Sequence, residues 1–332
     1  MVLVAARGLP LQMYRGPSEP LCLRGVGEQS RPPTHVASFS ALDGWSGEHE
    51  PLYSVASAAG AAAAAPAIYA GASNAVYRWD PTRPGKDAVC GMFPRWDDGC
   101  TSGWTSGWTS GWTSGYYDDN GYNRGDTRLS ISGPSIRPAA RRRKRKHGIV
   151  SAVAVEPSTS LLAAGTFSGR VALFDTRTGE QTSFVDGLPN GVTQVAWSRA
   201  SDAEGGFSLY VGCRGDGDVF VFDVRRGGFV DGNDMAVCVV KRGLGEGQRQ
   251  QRVRFGVRGG VLASGDGRGG WTMWGVRDGV EVGGGEARAR QGQMKAAVNA
   301  CAFLRGGRLA TASGGFGCAG EDSCVTLYEH VV

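Results

Sequence analysis

Between Gly148 and Val230 the chain says nearly the same thing twice. GIVSAVAVEPSTSLLAAGTFSGRVALFDTRTG (148–179) is followed by GVTQVAWSRASDAEGGFSLYVGCRGDGDVFVFDVRRG (191–227). Each copy has an apolar alternating run, a loop, a second run ending in small residues, a Gly-containing turn, and a third run closing on Phe-Asp. The closing pairs, Phe174-Asp175 and Phe222-Asp223, stand 48 residues apart, against roughly 40–45 residues for a four-stranded propeller blade of the Trp-Asp type. Short runs with period-2 alternation call for strands. One small sheet cannot bury both of its faces, so such units must stack radially. The repeat predicts an all-β fold, a WD-repeat β-propeller.

The same grammar recurs along the chain. AIYAGASNAVYRWDPTRPG (67–85) carries Trp79-Asp80, and VLASGDGRGGWTMWGVRDG (261–279) puts Trp274-Gly275 at the equivalent point. RLATASGGFGCAGEDSCVTLYEH (308–330) ends on Tyr328-Glu329, and VLVAARGLPLQMYRG (2–16) on Tyr14-Arg15. Small residues before the turn suit a strand end where neighbouring blades crowd near the axis. The aromatic that follows fills the gap between blades, and the Asp after it accepts hydrogen bonds from turn backbone. About six blades are recognisable, the first beginning in mid-repeat, so the ring is expected to be incomplete there. Trp79, Asp80, Phe174, Asp175, Phe222, Asp223, Trp274 and Tyr328 are thus structural repeat positions. The alternation turns Val153, Val155, Val171 and Leu173 toward blade interfaces.

Three regions follow: N-terminal blades over 1–94, an insertion over 95–147, and four further four-stranded blades over 148–330. The insertion breaks the rhythm with three TSGW units, a TSGY near-copy, an Asn/Asp/Gly-rich patch and six consecutive cations, Arg141, Arg142, Arg143, Lys144, Arg145 and Lys146. Few aliphatics and no sustained alternation predict disorder, and a segment dispensable for folding. Loops are expected at 17–35, 242–252 and 283–293, and the run Gly283–Gly285 reads as compositional drift without a structural role. No apolar span is long enough to cross a membrane, and MVLVAARGLPLQMY lacks the apolar core of a signal peptide. The eight Cys are scattered without CxxC pairs. Cys213, Cys238 and Cys301 sit inside strand runs, as reduced buried thiols would. Cys318 and Cys324 flank a Gly-rich turn that could bring them together.

The wording and order of these segments resemble the telomerase Cajal body protein (WRAP53-type) family of WD-repeat proteins. The resemblance runs through LVAARGLPLQMYR, VASFSALD (36–43), and AIYAGASNAVYRWD with its turn Thr82-Arg83-Pro84-Gly85-Lys86-Asp87. It continues through GIVSAVAVEPSTSLLAAGTFSGRVALFD, GVTQVAW with FDVRR, QRQQRVRFGVRGGVLASGDGRGGWTMWGV and VNACAFLRGGRLATASG. It covers most of the chain outside 95–147. It implies a nuclear seven-bladed propeller that binds small Cajal-body guide RNA and telomerase RNA with their ribonucleoprotein proteins. The implied role is to aid ribonucleoprotein assembly, localisation and telomere maintenance. The family pattern's opening blade and a half has no counterpart here, and the insertion is particular to this chain. Distant fungal members associate with splicing. The competing reading is therefore a protein-interaction scaffold, with a link to mRNA splicing and a cytoplasmic location as its alternative.

Arg141–Lys146 has three readings: a nuclear localisation signal, a contact to RNA phosphates with strong salt dependence, or a solvated loop. Arg225, Arg226, Arg249, Arg252 and Arg254 lean the same way toward RNA. Trp104, Trp108 and Trp112 offer stacking platforms for unpaired bases, although tandem identity also follows from repeat slippage. Catalytic signals are poor. GDGRGG (265–270) matches GxGxxG in letters but lies between strands, with no helix N-terminus to hold a pyrophosphate. Asp118-Asp119-Asn120-Gly121 starts like a calcium loop, but Tyr122 takes a ligand position. His35, His49, His147 and His330 are too dispersed in sequence to suggest zinc. The sequence predicts a non-enzymatic protein without cofactor, metal or small-molecule substrate.

Overall fold

A computed structural model describes residues 2–5, 9–15, 34–41, 49–58, 66–83, 88, 90–92, 148–156, 158–198, 207–215, 217–226, 236–242, 244, 253–266, 269–286, 297–304, 306–314 and 324–329. They form six antiparallel sheets that follow one another round a propeller. Blade 1 comprises β1 (Val2–Val4), β2 (Leu11–Arg15) and β3 (Thr34–Phe39). Blade 2 holds β4 (Ser54–Ala58), β5 (Ala67–Gly71), β6 (Val76–Trp79) and β7 (Cys90–Met92). In blade 3 the strands are β8 (Val150–Val155), β9 (Leu161–Thr166), β10 (Val171–Asp175) and β11 (Gln181–Val185). Blade 4 has β12 (Val192–Trp197), β13 (Ser208–Cys213), β14 (Val219–Asp223) and β15 (Cys238–Val240). In blade 5 they are β16 (Phe255–Arg258), β17 (Val261–Gly265), β18 (Gly270–Gly275) and β19 (Glu281–Glu286). Blade 6 holds β20 (Val298–Leu304), β21 (Arg308–Ser313) and β22 (Cys324–Tyr328). The described residues contain no α-helix, only a 3-10 turn at Val224–Arg226.

From 148 onward the described residues form four blades, three of them four-stranded and the last with three described strands. The insertion, with Trp104, Trp108, Trp112 and Asp118–Gly121, lies outside the described residues.

Five apolar clusters fill the five junctions between consecutive blades. Leu11, Met13 and Phe39 meet Ile68, Tyr77 and Trp79 at the first. Tyr69 and Met92 meet Val150, Val153, Leu162 and Phe174 at the second, with Val155 at its margin. Val171, Leu173 and Val185 meet Val192, Trp197, Leu209 and Phe222 at the third. Tyr210 and Val221 meet Phe255 and Trp274 at the fourth. Trp271 and Met273 meet Val298, Cys301 and Leu309 at the fifth, with Tyr328 beside them. Each aromatic that closes a third strand thus packs on the preceding blade. Val153 and Val155 face one junction of blade 3, and Val171 and Leu173 face the other, as alternation requires. Burial of these rings and aliphatics, at roughly 1.5–3 kcal/mol per large side chain, drives the stacking. No described cluster joins blade 6 to blade 1. There the equivalent ring, Tyr14, meets His35 of its own sheet edge-on, with centroids 5.4 Å apart.

Near the axis, Gly closes or nearly closes four of the second strands. A Cβ on Gly71 would stand 2.5 Å from Val150 O, and one on Gly265 2.2 Å from Val298 O. On Gly165 and Gly212 it would strike the side chains of Val192 and Phe255 in the next blade. The small residues are thus demanded by the close approach of the next inner strand. Polar clasps sew the same seam. Ser54 Oγ donates to Val150 O, and Ser151 Oγ to Val192 O. Gln194 both donates to Phe255 O at 2.8 Å and accepts from its N–H at 3.0 Å. Between blades 5 and 6, Arg254 N–H donates to Asn299 O at 2.8 Å, and Cys301 N–H donates to Arg254 O at 3.0 Å. Ser151, Thr193 and Asn299 each occupy the extra position where the inner strand's register shifts. Such bulges re-aim a side chain out of the ladder. Their side chains reach the carbonyls of Gly165, Gly212 and Gly314.

The run 283–285 is a correction to the sequence reading. It belongs to β19 and lies against an indole: a Cβ on Gly285 would meet Trp271 ring atoms at 2.9–3.1 Å, and one on Gly284 would stand 2.7 Å from Trp271 O. These glycines admit the backbone to the aromatic face, which is a structural role.

Candidate functional site

The turns between second and third strands and the connectors between blades meet along one rim, laced by hydrogen bonds. Asn74, held at φ 62°, anchors the return from the insertion. Its Oδ1 accepts from Gly148 N–H at 2.7 Å, and its N–H donates to Gly148 O at 3.0 Å. Ser73 and Ile149 form an antiparallel bridge beside them. The lacing continues through Phe167 N–H to Ile149 O at 3.0 Å and Arg214 N–H to Gly191 O at 2.8 Å. It ends with Val298 N–H on Asp266 O at 3.0 Å. The cations Arg141–Lys146 lie outside the described residues, but the chain re-enters the rim two residues after Lys146, at a fixed seat.

On the opposite rim, between third and fourth strands, the Phe-Asp pairs show what their Asp does. Asp175 accepts from Arg177 N–H at 2.8 Å and takes the guanidinium in a fork, Nε at 3.1 Å and Nη2 at 2.7 Å. Asp223 holds Arg225 in the same way, at 3.1, 2.9 and 2.7 Å. Asp80 accepts from Thr82 N–H at 2.8 Å and from its hydroxyl at 2.6 Å. The Arg177 hydrogen bond holds the Asp175 carboxyl below its ordinary 3.8, and the Thr82 hydroxyl does the same for Asp80. Blade 5 moves the acid along the turn: Gly275 stands where Asp175 does, and Asp278 Oδ1 accepts from Val280 N–H at 3.0 Å. Trp79, Phe174, Phe222, Trp274 and Tyr328 end their strands in the junctions. Trp79 Nε1 also donates across to Ser40 O at 3.0 Å.

The arginines read as RNA-facing divide. Arg225 is forked onto Asp223, and an Arg with its charge matched by a bidentate carboxylate is a weak free phosphate ligand. Arg226 closes the 3-10 turn that starts at Val224, and the side chain of Arg254 is exposed, whereas Arg249 and Arg252 lie outside the described residues. On the first rim Arg170 is also matched, with Nε 2.9 Å and Nη2 2.7 Å from Asp186.

One residue that sequence reasoning placed in a loop is a core group. Arg242 is 7% exposed. Its Nη1 donates to Val253 O at 2.9 Å and Ser264 Oγ at 3.1 Å, its Nε donates to Gly217 O, and it lies 5.7 Å from the Phe255 ring centroid. Burial lowers its pKa to about 10, so it stays charged at neutral pH. Burial raises Cys213 and Cys301 to about 12, keeping both as thiols. Its partners come from three segments, so no local motif could have announced it. The letters GDGRGG describe a turn: Gly270 N–H donates to Asp266 Oδ1 at 2.7 Å, between two strands. Cys324 is an exposed free thiol, and Cys318 lies outside the described residues. Among the described residues no three His, Cys, Asp or Glu side chains group to hold a metal, and no helix is long and apolar enough to cross a membrane.

No family model and no curated protein matches this chain. Among solved structures it is similar to the computationally designed Ika4 protein, at 18% identity and a TM-score of 0.36, covering 55% of this chain and 91% of that one. It is also similar to a chain in the mitotic checkpoint complex, at 12% identity and a TM-score of 0.49, covering 84% of this chain and 62% of that one. The assignment to the β-propeller folds stands on the six sheets and five filled junctions of the chain itself.

Proposed function

We propose that this chain is a non-enzymatic propeller scaffold that gathers protein partners at the rim where its long connector is seated. The observation that carries this reading is the clamp on Gly148 by Asn74 and the Ser73–Ile149 bridge. A connector fixed to a laced rim holds whatever it binds against a rigid frame, and loops on such frames are where binding groups concentrate.

A second reading makes the ligand a small guide RNA and places the protein in the nucleus. It is supported by the ordered resemblance to the telomerase Cajal body proteins and by Arg141–Lys146. Six adjacent cations tethered two residues from the rim would engage phosphates with a steep salt dependence.

One experiment separates the two. The intact chain and a variant with 93–147 replaced by a short Gly/Ser linker are crosslinked in cells and purified, with and without ribonuclease. The scaffold reading expects proteins that co-purify with the intact chain, survive ribonuclease and are lost from the variant. Crosslinked small nuclear RNA, with protein recovery abolished by ribonuclease, transfers the assignment to RNA. Partners retained equally by both chains would reject the rim around Gly148 as the docking site.

A further inference from the structure

The connector from β11 to β12, Asp186-Gly187-Leu188-Pro189-Asn190-Gly191, ends on an Asn-Gly step. Sterics fix its glycine. A Cβ on Gly191 would stand 2.4 Å from Phe167 O, so no side chain fits there. The nitrogen that follows Asn190 therefore belongs to a residue with no Cβ to shield it. Gly191 O accepts from Arg214 N–H at 2.8 Å, but Gly191 N–H has no acceptor among the described residues. Asn190 is exposed, and its backbone N–H donates to Cys213 Sγ. Its side-chain amide has no hydrogen-bond partner among the described residues. The amide lies against Gly215, where a Cβ would stand 3.0 Å from Nδ2. The other described asparagines differ on both counts. Asn74 Oδ1 accepts from Gly148 N–H and Asn299 Nδ2 donates to Gly314 O, and each is followed by an alanine.

We propose that Asn190-Gly191 is a self-modification site: the asparagine deamidates through a cyclic imide, and the isoaspartyl product opens the seam between blades 3 and 4. Asparagine is a thermolabile residue, and here the nucleophile and the leaving group are both unengaged. Gly191 N gives its proton to hydroxide and bonds to Asn190 Cγ. The Cγ–Nδ2 bond then breaks, and Nδ2 takes up a proton and leaves as ammonia. Water opens the imide at either carbonyl. Breaking the bond from Gly191 N to Cγ gives an aspartyl residue, which keeps the chain path and adds a negative charge to the rim. Breaking the bond from Gly191 N to the main-chain carbonyl carbon gives an isoaspartyl residue, which carries the chain through one extra carbon. The net change is amide plus water to acid plus ammonia. The extra carbon has no room on the present path. Phe167 O crowds Gly191, a Cβ on Gly169 would stand 3.0 Å from Asn190 O, and Arg214 N–H and Cys213 Sγ hold the connector from the next blade. The proposal does not depend on which ligand the rim binds.

The test is ageing of the full chain at mildly alkaline pH and physiological temperature. Beside it are aged the same chain unfolded in urea and the variant Asn190→Gln, whose longer side chain closes the ring far more slowly. Tryptic peptide 178–199, which lies between Arg177 and the bond after Arg199, is read by mass spectrometry. Isoaspartyl groups are read by methylation with an isoaspartyl carboxyl methyltransferase. In the folded wild type this peptide should gain the mass of an amide-to-acid exchange, severalfold more than the peptides of Asn74 and Asn299. Isomerisation of Asp186 in the same peptide leaves the mass unchanged, and Asn120-Gly121, outside the described residues, falls in another peptide. The aged wild type should contain a methylatable fraction that unfolds at lower urea than the unaged chain, and Asn190→Gln should age without forming it. An Asn190 that converts in urea but keeps its amide in the folded chain would overturn the site, because the fold would then protect it. A chain carrying the isoaspartyl residue that unfolds at the same urea concentration as the unaged chain would overturn the opened seam.

Discussion

The junction between blades 3 and 4 and the junction between blades 5 and 6 use one plan and finish it differently. At the first, Trp197 Nε1 donates to Ala154 O at 3.1 Å, Ser151 Oγ is bonded twice, and fourteen buried residues form the cluster. At the second the buried cluster has six, and Trp271 Nε1 and Thr311 Oγ1 are buried without a hydrogen-bond partner among the described residues. Asn299 Oδ1, on the inner strand of blade 6, is a third such atom. An unpaired buried donor or acceptor costs about 1–3 kcal/mol. Two blades with the same strand grammar can thus differ widely in how firmly they are held. Both the size of the buried cluster and the satisfaction of its polar atoms separate them.

The largest expected effect compares two indoles. Trp197→Ala should lower stability by about 3–5 kcal/mol, the usual loss for a buried aromatic. Trp271→Ala should lose less by about 1–3 kcal/mol, since it also removes an unpaired buried N–H. Urea unfolding of both variants checks this, and equal losses would break the comparison. A middle-sized effect reverses in sign. Ser151→Ala should destabilise by about 1 kcal/mol, because a bonded hydroxyl is removed. Thr311→Val, near-isosteric and lacking the orphaned oxygen, should leave the melting temperature unchanged or raise it. A clear fall for Thr311→Val would mean that the hydroxyl has a partner after all.

Smallest is the pH effect, in the turns of blades 3 and 5. Asp175 is held below 3.8 in the folded chain by Arg177, so its contribution is fully present above 3.8 and fades as pH falls through the lower folded value. Arg177 is largely solvent-exposed, so screening keeps that contribution small. Asp175→Asn should flatten the acid limb of the stability curve in this window, whereas the equivalent position in blade 5, Gly275, has nothing to titrate. An acid limb identical in wild type and Asp175→Asn would remove the carboxylate from the account.

What could be read from the residues follows from these distinctions. The strands β10, β14, β18 and β22 were legible because period-2 alternation and a closing aromatic are local, and each aromatic fills the preceding junction. The glycine run of β19 was not legible: without side chains it shows no alternation, and its reason lies in the ring of Trp271, ten or more residues away. Arg242 was misplaced for a related cause, since carbonyls of Gly217 and Val253 and the hydroxyl of Ser264 must converge before a guanidinium can be buried. At the candidate rim, the six cations were visible as a run, but the seat at Asn74 and Gly148 depends on two turns brought together by the fold.

That seat has a thermodynamic consequence for the segment it ends. Met92 is buried in blade 2 and Gly148 is tied to the same blade's turn, so both ends of the tract between them are held by structure outside it. With the disorder that its sequence predicts, the free energy of closing that tract grows only with the logarithm of its length, about 0.6 kcal/mol for each doubling. Adding or deleting a TSGW unit therefore changes stability by a small fraction of that amount. The tract can lengthen or shorten by whole repeats under almost no pressure from the fold, and its length is left to be set by what it reaches.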